Sequence, residues 1–273
     1  MAARDQVVIK GLPADLPPSK TWRDHGILSR VRDQKDSVIC WACATVGLLE
    51  AEYRRKYPNT DIVLSVQELV NCTISKEEVA RKLAAKPRQI TVDQYDCYTC
   101  GHSKSLKFVK NNGLVLEQEC RWRGKRKNFR PKKERWNGVK IIDYKRVDDK
   151  MSEEENEEAL LKALQDGPVI AGVAYDPIMD EELRTGIWDG TEIYVDPEHG
   201  PSYHSIVLVG YGTDLEGKNY FEFQNSRGKR FGDSGFGKVL RYSSVETPLG
   251  FPLVKWAYRP PDIIRVHEGE PDL

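Results

Sequence analysis

The chain has 273 residues, 39% hydrophobic and 31% charged, a balance that supports a packed core and excludes a disordered or fibrous chain. Lysine plus arginine and aspartate plus glutamate number 42 each, so no overall field draws the molecule to nucleic acid or to an anionic membrane. No apolar run approaches the roughly 20 residues that span a bilayer, and the opening MAARDQVVIKGLPADLPPS has only a short VVI where a secretory signal would have its apolar core.

The first 20 residues are proline-rich (LPADLPPS) and read as extended, with 1–13 as a lead-in before the domain. From Ser37, the run SVICWACATVGLLEAEYRRKY has helical period, with Ile39, Ala42, Cys43, Val46, Leu49 and Tyr53 on one face, Ser37 as its cap and Pro58-Asn59 as its end. A short helix SVQELVN follows, with Ser65 and Glu68 at the spacing of a capping box. SKEEVARKLAAK reads as an exposed helix, and SKSLKFVKNN as another stopped at Gly113. EENEEALLKALQD begins acidic, as the helix dipole prefers, and closes at Gly167-Pro168. Beyond it, VIAGVAY, HSIVLVGYG, NYFEFQNS, FGKVLRY and PLVKWAYRP are short strand-like runs between turn residues. Helices first and strands afterwards predict an α+β protein: a helical lobe over about 30–125, a β lobe over about 140–260, a cleft between them and a tail at 261–273.

Cys40 opens the long helix, where the positive end of the dipole favours a thiolate. A thiolate that acts as a nucleophile needs an acid–base partner. His204, at the head of HSIVLVGYG, can project from a rigid strand, and Asn225, ending the next strand, can fix its imidazole.

Four strings then resemble the papain-like cysteine proteases, as a divergent, plant-type member. Val31-Arg32-Asp33-Gln34 through Cys40-Trp41-Ala42-Cys43-Ala44 resembles the nucleophile signature, and LSVQELVNC at Leu64–Cys72 resembles LSEQELVDC. HSIVLVGYG at His204–Gly212 and QNSRGKRFGDSGF at Gln224–Phe236 resemble the histidine and asparagine motifs. The similarity covers residues 14–260, in order. It implies a two-lobe papain-like fold and a thiol endopeptidase acting on peptides or proteins without a cofactor or metal. Cys40 would be the nucleophile, His204 the base, Asn225 its orienter and Gln34 the side-chain oxyanion donor. Substrate would lie against Val38, Thr99, Cys100, Gly101, Gly172 and Ser205, with Ser202 beside the main pocket.

The same resemblance marks departures. The three family disulfides each lose a partner: Ser37 stands opposite Cys97, Cys72 has no cysteine near Phe129, and the third pair is missing. With no leader visible, and no inhibitory propeptide before the matching region, a cytoplasmic or nuclear protein is expected; a truncated gene model would instead allow a vacuolar or secreted one. Val38, Thr99 and Cys100 replace cleft glycines and narrow the groove. Arg227 replaces the tryptophan that shields the histidine–asparagine bond, and Tyr203 precedes the histidine, so a wetter pair is expected. The alternative to a protease is therefore a pseudoprotease that binds proteins through the altered groove.

Outside the resemblance, Cys97-x-x-Cys100 with His102 and Cys120 has the look of half a zinc site, against the plainer reading of leftover disulfide cysteines. The basic stretch 121–135 is a weak nucleic-acid candidate, against a solvated loop balanced by the acidic run that follows.

Overall fold

The computed structural model describes residues 11–86, 90–129, 137–182, 186–244 and 249–266. The helices are α1 (Cys40–Lys56), α2 (Val66–Cys72), α3 (Lys76–Ala85), α4 (His102–Asn112), α5 (Glu153–Asp166) and α6 (Met179–Glu182). The strands are β1 (Lys20–Thr21), β2 (Leu114–Val115), β3 (Gly138–Ile141), β4 (Lys145–Arg146), β5 (Val169–Ala174) and β6 (Val195–Asp196). They continue as β7 (Gly200–Pro201), β8 (Tyr203–Thr213), β9 (Asn219–Gln224), β10 (Phe236–Leu240), β11 (Val254–Arg259) and β12 (Ile263–Val266). The main antiparallel sheet runs β10-β9-β8-β5-β11-β4, with β1 added to β8. A smaller sheet, β12-β3-β2, belongs to the helical side. Ile170, Val207 and Val209 of the main sheet join the core around α1, while Ala171, Val173, Ile206 and Leu208 join a second core that includes Leu160, Leu161 and Leu164 of α5. The fold is α+β and two-lobed, as its resemblance implies.

α1 differs from the one-faced helix that its periodicity predicts. Every residue from Trp41 to Tyr53 is buried, because the helix runs between the sheet and helices α2 and α4. Its carboxylates are therefore paired: Glu50 Oε1 accepts from Arg32 at 2.6 Å, and Glu52 from Arg259 and Arg55 at 2.9 Å each. A buried carboxylate without such a partner would cost several kcal/mol. The helix begins at Cys40 rather than after Ser37, whose hydroxyl donates instead to Asp93 Oδ2 at 2.7 Å.

The other helix ends follow their sequence signals. Ser65 Oγ accepts from Glu68 N at 2.9 Å, but the Glu68 carboxylate, rather than closing the box, takes Val115 N at 2.8 Å and ties α2 to β2. α3 is exposed except for Val79, and Gly113 ends α4 with φ at 68°. At α5 the box is complete: Ser152 Oγ accepts from Glu155 N, and Glu155 Oε2 accepts from Ser152 N, each at 3.2 Å.

Candidate active site

Cys40 is the first residue of α1, on the helical wall of the cleft. His204 lies on β8, opposite Val173 of β5, and is buried. Its Nε2 is 2.7 Å from Asn225 Oδ1, so Nε2–H donates to the amide and Nδ1 is left for Cys40. Asn225 is itself fixed by the loop after β9: its N–H donates to Gly235 O at 2.9 Å, and its Oδ1 also accepts from Ser226 N at 2.7 Å.

The Cys40 thiol is half-buried. Burial pushes its pKa up, but the hydrogen bond and charge of His204, with a further bond from the Ser205 amide, outweigh it and bring the thiol down to about 7. Cys43, one turn on, shows the contrast: burial pushes its thiol up to about 12 despite Arg32 nearby.

Gln34 is buried beside them. Its Oε1 accepts from Ser226 Oγ at 2.6 Å and its Nε2 donates to Ser37 O at 2.7 Å, leaving the second amide hydrogen free. Backbone bonds from Gln34 N to Ser226 O, 2.8 Å, and from Gly228 N to Arg32 O, 2.9 Å, zip the nucleophile loop to the asparagine loop.

A cavity of about 510 Å³ opens at Cys40 and His204, and Thr99, Cys100, Gly101, Gly172 and Ser205 line it. Val38 packs against the helical core, its N–H donating to Asp93 Oδ2 at 3.0 Å. Gly172 sits where a Cβ would press on Lys255 O and the Trp256 ring, both 3.3 Å away. Tyr203 packs against Trp256 at 5.0 Å between centroids, the rings tilted by 55°, and Lys255 Nζ lies 3.6 Å from the centroid of the Tyr203 ring.

Three residues of this region have roles that the sequence does not show, among them His102, which the sequence offers only as part of half a zinc site. His102 is on the cleft wall, donating from Nδ1 to Trp256 O at 2.9 Å and accepting from Ser205 Oγ at Nε2, 2.8 Å. Burial pushes it down to about 4, so it is a neutral wall residue. Both its nitrogens are occupied, and among the described residues no group of three or more His, Cys, Asp or Glu is placed to hold a metal ion. Asp93 takes Tyr95 N and Cys97 N on one oxygen, at 2.8 and 3.0 Å, and Ser37 and Val38 on the other. Tyr175, the last aromatic of VIAGVAY, lies against His204 at 5.2 Å between ring centroids. His204 and Asn225 are both buried, where the replacement of the tryptophan by Arg227 predicts a wetter pair.

All six cysteines are free thiols. Where the resemblance implies bridges, hydrogen bonds stand: Cys97 bonds Ser37, and Cys72 Sγ lies 3.8 Å from Phe129 O. The basic stretch 121–135 is described only to Phe129, and the rest of it, like His267, lies outside the described residues. No helix among the described residues is long and apolar enough to cross a membrane.

A helical wall carrying a depressed thiol and a β wall carrying an amide-oriented imidazole make the plan of a cysteine-type peptidase. The chain belongs to the papain family of cysteine proteases, whose model matches residues 16–249. It is 30% identical over 240 residues to the probable cysteine protease RD21B of Arabidopsis thaliana, covering 86% of this chain and 44% of that protein. It is 28% identical over 248 residues to cathepsin 7 of Rattus norvegicus, covering 88% and 66%. The digestive procathepsin L 3 of the Tenebrio molitor larval midgut superposes with a TM-score of 0.67 at 21% identity, covering 93% of this chain and 72% of that one. The chain thus spans between 44% and 66% of the length of these two curated relatives.

These relatives correct the expectation of a cytoplasmic or nuclear protein. They are cathepsins and plant proteases, proteins typically secreted or lysosomal or vacuolar. At two of the places where the resemblance implies cystines, the loops are held by hydrogen bonds from Ser37 and Cys97 N to Asp93 and by Cys72 against the Phe129 carbonyl.

Proposed function

We propose that the chain is an active thiol endopeptidase, and the observation that carries this is the Cys40 thiol held at about 7 beside His204 at the mouth of an open 510 Å³ cavity. In this reading the Cys40 thiolate attacks a peptide carbonyl, and the oxyanion takes hydrogen bonds from the free Gln34 amide hydrogen and from the Cys40 N–H, which the helix end leaves unused. His204 then passes its proton to the departing amine, releasing the first product and leaving an acyl thioester on Cys40. It next takes a proton from water, which cleaves the thioester and restores the thiolate. Asn225 holds the imidazole in the tautomer that this sequence needs.

The peptide runs along Thr99–Gly101, with one side chain entering the pocket between Gly172, Ser205 and the Tyr203–Trp256 pair. Lys82 and Lys104 edge that groove, both paired with Glu78 behind it, and among the described residues no carboxylate lines it.

The test is labelling by a peptidyl epoxide at pH 7, followed by mapping of the modified residue and assay of peptide turnover. Cys40 is expected to be labelled, with Cys43 unmodified, and Cys40→Ala is expected to lose both labelling and turnover. A wild-type chain that takes no label and cleaves no peptide would place it with the pseudoproteases.

A further inference from the structure

His204 has two neighbours that fix its ring. One is Asn225. The other, Tyr175, follows β5, and its N–H donates to Ser202 O at 2.9 Å, which sets its backbone two residues from the histidine. The ring lies 5.2 Å from the imidazole, centroid to centroid, tilted by 39°. Its hydroxyl is clamped from both sides: Arg227 Nη2 donates to it at 2.9 Å, and it donates to Asp180 Oδ2 at 3.0 Å. Arg227 is anchored in turn, with Nη1 donating to Lys35 O at 3.0 Å and Nε 3.5 Å from Asp180 Oδ2.

We propose that Tyr175 is a positioning residue for His204: its ring, clamped by Arg227 and Asp180, keeps water from the His204–Asn225 bond and holds the imidazole where it meets Cys40. The Arg227 side chain, which lacks the indole surface to do this itself, acts through the phenol. An aromatic face excludes water from a hydrogen bond that an exposed imidazole would share with solvent, and a dry bond is the stronger one. The phenol stays neutral, because burial, only partly opposed by Arg227, pushes it up to about 12. The groups facing the imidazole are thus Cys40 from α1, the neutral His102 from α4 and this phenol. The Arg227 cation stands behind the ring and is offset by Asp180.

This inference rests on the thiol-peptidase reading, and its test is chosen to separate the two. Iodoacetamide is small and neutral and needs no substrate groove, so the pH dependence of Cys40 alkylation in the full chain reads the thiolate–imidazole pair alone. Tyr175→Ala is expected to raise the midpoint by about one unit, so that alkylation at pH 6 falls about tenfold while the rate at pH 9 is unchanged. Tyr175→Phe keeps the ring and is expected to stay within about threefold of wild type at pH 6. An unchanged pH profile in folded Tyr175→Ala overturns the proposal, as does a Tyr175→Phe variant that loses as much as the alanine. If Tyr175→Ala does not fold, Arg227→Met decides: a raised midpoint supports the clamp, and an unmoved one overturns it. Loss of peptide turnover with an intact wild-type alkylation profile would sink the peptidase reading and leave Tyr175's role standing.

Discussion

The two walls of the cleft hold their reacting groups by different means. On the β wall, His204 sits in β8 directly opposite Val173 of β5, and β9 pairs the other side of β8 from Val207 onward. Its position is a property of the sheet ladder. On the helical wall, Cys40 ends a loop joined to the asparagine loop by only a few backbone bonds, and side chains add the rest of the fastening: Asp93 gathers four donors from residues 37, 38, 95 and 97, and Gln34 bridges to Ser226. A ladder tolerates single substitutions, because each rung is backbone. A hub does not, because one carboxylate carries all four bonds. The helical wall is therefore where single changes reach furthest.

That contrast breaks most visibly in chemistry. His204→Ala removes the bond and charge that hold the Cys40 thiol at about 7 and leaves burial opposed only by the Ser205 bonds, so the thiol rises to the ordinary cysteine range or above. Alkylation at pH 6 should fall about 100-fold and recover near pH 9. The sign is that of a depressed acid: the stabilisation that the thiolate contributes to folding is present above the unfolded thiol value and is lost as pH falls through about 7. Far-ultraviolet circular dichroism should be unchanged, since the ladder does not need the imidazole.

In stability the order reverses, with the helical wall the more sensitive. Asp93→Ala leaves four donors unmet and should cost about 3 kcal/mol in urea unfolding. Ser37→Cys tests the same wall in the opposite direction. Ser37 already bonds Cys97, so a bridge formed there under mild oxidation should raise stability by about 2–4 kcal/mol, less what the lost bond to Asp93 removes. A thiol count that shows no new cystine would mean that the Asp93 hub has set a geometry the bridge cannot share. The smallest effect belongs to the β lobe's own helix. Ser152→Ala undoes one half of the α5 capping box and should cost about 1 kcal/mol, with no change in Cys40 alkylation.

Much of this arrangement is legible in the sequence, and the boundary of what is legible has a physical cause. Cys40, Gln34, His204 and Asn225 stand in contiguous strings whose neighbours set helix starts and strand ends, so local pattern suffices to place them on their elements. The caps at Ser65 and Gly113 are legible for the same reason. Asp93, His102 and Tyr175 are not, because each acts through partners far along the chain. Asp93 reaches back to Ser37, His102 forward to Trp256, and Tyr175 to Arg227. Ser37 illustrates the conflict: its type and place predict a helix cap, and a tertiary carboxylate takes its hydroxyl instead. α1 misleads in the same way, since periodicity shows one apolar face while Glu50 and Glu52 hide their burial behind arginines from other segments.

Arg227 joins both walls. One end of its guanidinium holds Lys35 on the nucleophile loop, and the other holds Tyr175 beside the histidine. Backbone bonds already close that junction, Gln34 N to Ser226 O and Gly228 N to Arg32 O, so the guanidinium adds side-chain ties to a seam the main chain has fixed. A shorter cation at this position would let go of Lys35 or of Tyr175 while the seam itself stays shut.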